Sequence, residues 1–240
     1  MAVQFTNRLD IRMTQKFSYL IKPRVLIATA IFALILMELH ELVHTIPGAL
    51  ICGGFGVRDF NSWELKTGCS SPIPGALGPI FTFLVVWLAA WHLQSGAKIG
   101  RLRALVLLIA VAPIARVLTA LLGGGDERVF VQYFMAAGQS SLSTWIAVAI
   151  TVSLSFWPLL VLYRTLEKRV LVFLACVVLP VVFLIVMVLV VLNGALSTGF
   201  LALPIIAGSP LLVIVYTVGL LLLAPVAWRW TRDEAKAKAV

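Results

Sequence analysis

Charged residues are scarce in this sequence, and so are the segments that usually separate domains. Only 12% of the 240 residues are charged while 61% are hydrophobic, and the mean hydropathy is +1.05. These values exclude an ordinary soluble domain. The chain also lacks internal repeats, low-complexity tracts and any linker long enough to separate two soluble domains. It is therefore expected to form one domain whose solvent is the lipid bilayer.

Six long apolar stretches, in contrast, are present. A helix needs about 20 mostly apolar residues to cross the hydrocarbon core of a bilayer. The qualifying stretches lie near 25–50, 74–93, 104–123, 143–163, 170–193 and 208–228. The sequence therefore predicts an all-α, multi-pass transmembrane helical bundle with about six spans.

The net charge of +9 reflects basic residues next to the ends of these spans. All but four of the 19 Lys and Arg residues fall in 1–24, 94–103, 164–169 and 229–240. Under the positive-inside rule, both termini are then cytoplasmic, and this distribution argues against nucleic acid as a partner. Residues 1–24 contain no short apolar core with a small-residue cleavage site, so the first span is expected to remain as an anchor.

These patterns divide the chain into four segments. A basic cytoplasmic segment, 1–24, is followed by a core of three spans, 25–130, with an external loop at 51–73. Spans four to six, within 131–228, carry almost no polar groups and are expected to serve packing or partner contacts. A basic cytoplasmic tail, 229–240, ends the chain.

The first span contains the motif His40-Glu41-Leu42-Val43-His44. Histidines four residues apart share one face of a helix, so their imidazoles can bind one metal ion, and zinc is the expected ion. Glu41 beside them can accept a proton from zinc-activated water and is the expected catalytic residue. A structural polar cluster without metal is the alternative, although ionisable residues inside a span usually serve a function.

A catalytic zinc site needs a third protein ligand, and His92 lies at the opposite end of the second span. A carboxylate is therefore expected. Asp126 follows Gly123-Gly124-Gly125, on the side of the bilayer where the histidine pair is expected. Asp126 is the favoured ligand and Glu127 the second choice. The weaker candidates are Asp59 and Glu64.

Two further charged groups lie inside spans, Glu38 in the first and Arg116 in the third. At 1.5 Å per residue, Glu38 lies about 21 Å along its helix from Arg24, and Arg116 about 20 Å from Arg103. At this common depth the two are expected to form an ion pair that clamps the first span to the third. Alternatively, Arg116 binds a substrate carbonyl or a lipid head group.

The end of the first span and the loop after it have their own signals. Pro47 predicts that the helix kinks or ends there. Glycines and partial alternation in the loop predict a short hairpin, with Val57 to Leu65 as an edge on which an extended substrate can pair. Cys52 and Cys69 both lie on the predicted outer side, where either a disulfide or free thiols are possible.

A His-Glu-x-x-His motif in one span, a Gly-rich segment with Asp two spans later and a stapled loop between them resemble the site-2 family of intramembrane zinc metalloproteases. The likeness covers roughly residues 35–130. It implies a three-helix catalytic core, zinc held by His40, His44 and Asp126, and a 51–73 loop that helps to present extended substrate.

The sequence departs from that family at two points. The family's aspartate usually stands in an Asp-Gly pair preceded by Asn-Pro, whereas Asp126 precedes Glu127 and Pro113 lies upstream. Members commonly place zinc nearer the cytoplasmic side, whereas the charge distribution places His40 and His44 in the outer half of the bilayer.

The resulting hypothesis is a zinc-dependent endopeptidase that cleaves membrane proteins, with a transmembrane segment as the expected substrate. Two alternatives stay open. One is a zinc hydrolase that acts on a lipid amide or ester, and the other is a non-enzymatic metal-binding transporter or scaffold. A transporter predicts polar residues through the full depth of the bilayer. The sequence does not indicate an oligomeric state.

Overall fold

A computed structural model describes residues 20, 22–95, 100–135, 138–166 and 169–236. The helices are α1 (Pro23–Cys52), α2 (Ile73–Gln94), α3 (Arg101–Ala110), α4 (Pro113–Leu121), α5 (Asp126–Tyr133), α6 (Ser140–Thr165), α7 (Val170–Leu184), α8 (Asn193–Ser197) and α9 (Leu211–Lys236). A π-helical segment, Ile185–Leu192, joins α7 to α8. The strands are β1 (Phe55–Arg58), β2 (Trp63–Leu65), β3 (Pro204–Ile206) and β4 (Ser209–Pro210).

Six helical stretches are long and apolar enough to cross a membrane. They are Pro23–Cys52, Ile73–Gln94, Arg101–Leu121, Ser140–Thr165, Val170–Ser197 and Leu211–Arg232. Every boundary lies within four residues of its predicted position. The predicted all-α, multi-pass bundle is therefore confirmed, and the chain is an integral membrane protein.

The third span is broken, a feature that its hydropathy does not reveal. Helix α3 ends at Ala110 and α4 begins at Pro113, with Ala112 between them at a φ of 49°. Proline has no backbone N–H and disfavours helical geometry in the residue before it, so a helix restarts there more readily than it continues. Arg116 on α4 therefore does not belong to the same continuous helix as Arg103 on α3.

Helix α1 occupies the centre of the bundle. It packs against α2, α3 and α9. On the side towards its N-terminus, an apolar cluster that includes Val25, Ala28 and Phe32 contacts Val106 of α3 and Ala227 of α9. The helix continues through Pro47 to Cys52, so the prediction that it could end at Pro47 is wrong.

The loop after α1 forms the predicted hairpin. Strands β1 and β2 pair antiparallel, and a disulfide joins Cys52 to Cys69 with their Cα atoms 5.7 Å apart. Phe60, at the turn, is only 2% exposed and packs with Val188 and Val213 of the fifth and sixth spans. The hairpin is therefore folded back onto the bundle instead of projecting into solvent.

The two edges of this hairpin differ. The amide of Arg58 in β1 donates to the carbonyl of Gly208, which precedes β4. The outer edge of β2, in contrast, borders a cavity beneath the hairpin. Of the predicted Val57–Leu65 edge, strand β2 and the preceding residues Asn61 and Ser62 line this cavity.

Candidate metal centre

The two histidines of the motif converge on α1. His40 and His44 are 4% and 0% exposed, and their Nε2 atoms lie 3.1 Å apart. His44 Nδ1 lies 2.6 Å from the carbonyl oxygen of Pro74 on α2. Because a carbonyl only accepts, Nδ1 must carry the hydrogen, and a neutral ring then has its Nε2 lone pair free. The backbone of α2 thus orients His44 as a ligand.

His40 is held from the same helix. Its Nδ1 lies 2.7 Å from the hydroxyl oxygen of Thr82, one of the few polar groups on α2 that is buried. Thr82 and the Pro74 carbonyl were both missed by sequence reasoning, since nothing in a lone threonine or a backbone carbonyl signals such a role. Their contacts direct both Nε2 atoms to one point, as outer-shell hydrogen bonds do in metal sites.

Asp126 joins this pair from the start of α5. Its Oδ2 lies 3.1 Å from His40 Nε2 and 3.5 Å from His44 Nε2. The chain reaches this position through a turn in which Gly123 and Gly125 have φ values of 76° and 88°, which disfavour residues with a side chain. His40, His44 and Asp126 thus offer three ligand atoms, all within 4.8 Å of one another.

The environment keeps Asp126 ionised. Burial by itself would raise the pKa of this carboxyl, but its contacts with His40 and His44 and the charge of Arg116 outweigh that effect. The pKa of Asp126 is therefore held well below its ordinary value. An ionised carboxylate is the form that ligates a cation.

The donor set fits zinc. Two imidazole nitrogens and one carboxylate oxygen are a common catalytic set, and they leave one coordination position for water or substrate. Ligands about 2.0–2.1 Å from a tetrahedral ion lie about 3.3 Å from one another, close to the separations of 3.1 and 3.5 Å found here.

Gly78 of α2 supports the same conclusion. A Cβ at this position would lie 2.1 Å from His44 Nε2 and 2.8 Å from His40 Cε1. Any side chain here would therefore occupy the space in front of the ligand atoms. Glycine leaves that space open and lets α2 approach closely enough to hydrogen-bond both rings.

Glu41 lies beside the three ligand atoms and is not one of them. It is 3% exposed, and its Oε2 has no hydrogen-bond partner among the described residues. Glu41, His40 and Asp126 line the same cavity. A buried carboxylate oxygen without a protein partner is available to a small polar molecule in that cavity, such as water.

The cavity has a volume of about 1100 Å³ and is mostly apolar. Its walls come from α1, from β2, from both halves of the third span and from the fifth span, where Val181 and Leu189 mark the ends of the lining segment. The indole of Trp63 in β2 stacks on His44, with ring centroids 4.6 Å apart and planes 13° apart. The hairpin thus covers one side of the ligand cluster.

The predicted pair between Glu38 and Arg116 is wrong. Arg116 binds the two acidic residues of α5: its Nη2 lies 3.0 Å from Asp126 Oδ2 and 2.8 Å from Glu127 Oε1. Equal depth along two helices does not specify which way each side chain points around its helix axis. Glu127 contacts Arg116 and is not among the residues whose ligand atoms converge, and neither are Asp59, which caps the hairpin turn, and the exposed Glu64.

Glu38 pairs instead with Arg58 of the hairpin, at 2.5 Å, and both side chains are only 4% exposed. Arg58 Nε donates to Ser209 Oγ, and the hydroxyl of Thr217 on α9 donates to Glu38. The external loop, the first span and the sixth span are thereby joined by one buried polar network. Sequence reasoning placed Arg58 outside the membrane and gave it no partner.

Comparison of the chain with protein-family models, with curated proteins and with solved structures finds no match. The fold and the site therefore define a class by their own features. The chain is an integral membrane helical bundle in which two buried histidines and a partly buried aspartate converge beside Glu41, whose Oε2 has no partner among the described residues.

Proposed function

We propose that this protein is a zinc-dependent intramembrane endopeptidase. The observation that carries the proposal is the convergence of His40, His44 and Asp126 beside Glu41, at the wall of a largely apolar cavity. Zinc held by the three ligands would act as a Lewis acid and lower the pKa of water towards about 7. The remaining tasks of peptide hydrolysis fall to the chain itself.

Glu41 has the position of the general base. Its Oε2 has no partner in the part of the chain that the structure describes, so it can take a proton from attacking water and later give it to the departing amine. Burial also protects this transfer from bulk water. The Pro74 carbonyl and Thr82 keep the histidine rings in place throughout the reaction, because both contacts are to Nδ1 atoms.

The β2 edge supports a peptide as the substrate. A helical peptide bond is shielded by its own hydrogen bonds, so a substrate must be extended to be cleaved, and an extended segment can pair with a free strand edge. Residues 63–66 border the cavity, and the opposite edge of the hairpin contacts the segment at Gly208. We therefore assign substrate pairing to β2.

A lipid hydrolase would use the same metal and base, and the mostly apolar cavity would also suit an acyl chain. A transporter has less support. A permeation path would have to continue along α1 towards its N-terminus. In the described part of that region, Val25, Ala28, Phe32 and Val106 form a packed apolar cluster.

The site is proposed to lie in the outer half of the bilayer, with both termini cytoplasmic. His40 and His44 fall about 25 to 32 Å along α1 from Pro23, close to the end that carries the disulfide. A disulfide is expected on an oxidising side of the membrane. Labelling of Lys66→Cys in intact cells by an impermeant maleimide tests this, and protection of that thiol would reverse the proposed orientation.

Metal analysis of the purified protein tests the proposal directly. We expect about one zinc per chain in the wild type and loss of zinc in His40→Ala and Asp126→Ala, because two ligands hold zinc far more weakly than three. The matched control is His92→Ala, which removes the histidine that lies outside the cluster. Equal zinc in His40→Ala and the wild type would contradict the proposal.

The reaction is tested with Glu41→Gln, which should retain zinc and lose activity. Membranes of cells that express the wild type or Glu41→Gln are compared for new peptide termini and for lipid products. Peptide termini that depend on Glu41 support the endopeptidase. Lipid products alone would assign the lipid hydrolase, and neither product in zinc-loaded protein would argue against an enzyme.

A further inference from the structure

Arg116 has an unusual position for a charged residue in a span. Its side chain is 16% exposed and lies beside the ligand cluster, in the wall of the same cavity. Its Nη1 is 3.3 Å from His40 Nε2, the atom proposed to bind zinc. The guanidinium is therefore adjacent to the place where a reacting group would sit.

The two carboxylates of α5 bind the edge of this guanidinium that Nε and Nη2 form, and Nη1 lies on the other edge. Nε donates to Glu127 Oε1 at 3.0 Å and Nη2 donates to Asp126 Oδ2 at 3.0 Å, and Nη2 also lies 2.8 Å from Glu127 Oε1. Within the described residues, the polar contact of Nη1 is with His40 Nε2. If the His40 lone pair is used by zinc, Nη1 has two N–H groups without an acceptor.

Glu127 makes this orientation rigid. It is 6% exposed, and the pairing of its carboxylate with the Nε–Nη2 edge restricts rotation of a planar group. Asp126 and Glu127 are neighbours in sequence but have different contacts, because Asp126 meets both the histidines and Arg116, whereas Glu127 meets Arg116. Two negative charges also offset the repulsion between Arg116 and a bound cation.

We propose that Arg116 is a catalytic residue whose Nη1 polarises the scissile carbonyl and stabilises the oxyanion that forms from it. The inference rests on the proposed hydrolase function. It applies to a peptide or a lipid carbonyl alike, because the developing charge is the same.

In the proposed step, water forms a bond to the carbonyl carbon and gives a proton to Glu41. At the same time the π electron pair of the carbonyl moves onto its oxygen, which accepts hydrogen bonds from Nη1. When the pair returns, the bond from carbon to the leaving nitrogen or oxygen breaks, and the leaving group takes the proton from Glu41. Arg116 keeps its charge throughout.

Binding of phenylphosphonate, a tetrahedral oxyanion, to cobalt-substituted protein tests this without turnover. The visible spectrum of cobalt reports both metal occupancy and binding of the anion. We expect Arg116→Gln to keep cobalt and to bind phenylphosphonate about ten- to a hundredfold more weakly, the loss typical of one charge-assisted hydrogen bond. Arg101→Gln, an exposed arginine at the far end of the same span, is the matched control and should bind as the wild type does.

If Arg116→Gln takes up no cobalt, Arg116→Lys replaces it. A lysine keeps the charge beside Asp126 and Glu127 but has no second edge, so it should also bind phenylphosphonate more weakly. If the variant that takes up cobalt, Arg116→Gln or Arg116→Lys, binds phenylphosphonate as tightly as the wild type does, the role of Arg116 is overturned and the proposed hydrolase is left intact. Failure of the wild type itself to bind cobalt would refute the hydrolase, and the role of Arg116 with it.

Discussion

The first three spans and the last two use apolar sequence in different ways. In the most apolar 18-residue stretch of each span, 44–56% of the residues are buried within the protein in the first three spans, compared with 17% in each of the last two. The two histidines of the site lie on the first span and Asp126 follows the third, whereas the fifth span contributes an apolar wall of the cavity and no described residue of the sixth span lines it. The last two spans bury few of their apolar residues, so most of them lie at the protein surface and face lipid, although Val188 and Val213 pack against Phe60.

Acidic side chains in the middle of the first span lie where protein surrounds them. Glu38 and Glu41 are each 3% exposed. Charges in lipid are costly unless they are paired or line a polar cavity. The half of the bundle that is packed against itself can therefore carry a reactive site, and the lipid-facing half can tolerate substitutions. Four predictions test that contrast.

The largest effect is expected from Gly78→Ala. Its methyl group would lie 2.1 Å from His44 Nε2, so the ligand atoms could no longer converge and zinc should be lost. The control is Gly219→Ala on α9, where a Cβ would meet nothing within 4 Å. Zinc content of the two purified variants is the measurement, and full occupancy in Gly78→Ala would contradict the assigned site.

The second prediction concerns the buried pair between hairpin and span. Arg58→Met leaves Glu38 as an uncompensated buried charge and should lower the free energy of unfolding by about 3–5 kcal/mol. Arg58→Met with Glu38→Met removes both charges and should recover most of that loss. Unfolding in mixed detergent micelles measures both, and additive losses in the double variant would show that the two residues are not coupled.

The third prediction concerns the stacking of Trp63 on His44. Trp63→Ala removes a ring that covers one side of the ligand cluster, and zinc affinity should fall about tenfold, at the lower end for groups that support a metal ligand. Trp63→Phe keeps a stacking ring and should fall less. Competition with a zinc chelator gives both affinities, and equal values for Ala and Phe would exclude stacking as the cause.

The smallest effect is expected on the lipid-facing half. Leu221, on α9, is 67% exposed, and Leu221→Ala should change the free energy of unfolding by less than about 0.5 kcal/mol. Leu105→Ala is the matched substitution in the packed half, where the side chain is 1% exposed and about 2–5 kcal/mol should be lost. Comparable losses at the two positions would remove the distinction between the halves.

Local periodicity and composition explain which features could be predicted. His40 and His44 share a helix face because four residues make about one turn, and this holds for any helix that contains them. The six spans follow from apolar length alone. The hairpin follows from glycines and alternation within a short loop.

The failures share one physical cause. Pairing Glu38 with Arg116 assumed a continuous third span and used depth alone, but the break before Pro113 and the rotation of each helix about its axis decide which side chains meet. Arg58 was assigned to solvent because a loop residue carries no sign that its hairpin folds back into the bundle.

The sequence by itself thus determined a membrane bundle of six spans and a histidine pair on its first helix, since both depend on residues close together in the chain. Only the tertiary structure decided that Asp126 joins the pair, that Gly78 makes room for it, and that Glu127 directs Arg116 beside it. Those contacts join residues from 11 to 86 positions apart, and the packing and rotation of helices, which no local pattern encodes, bring them together.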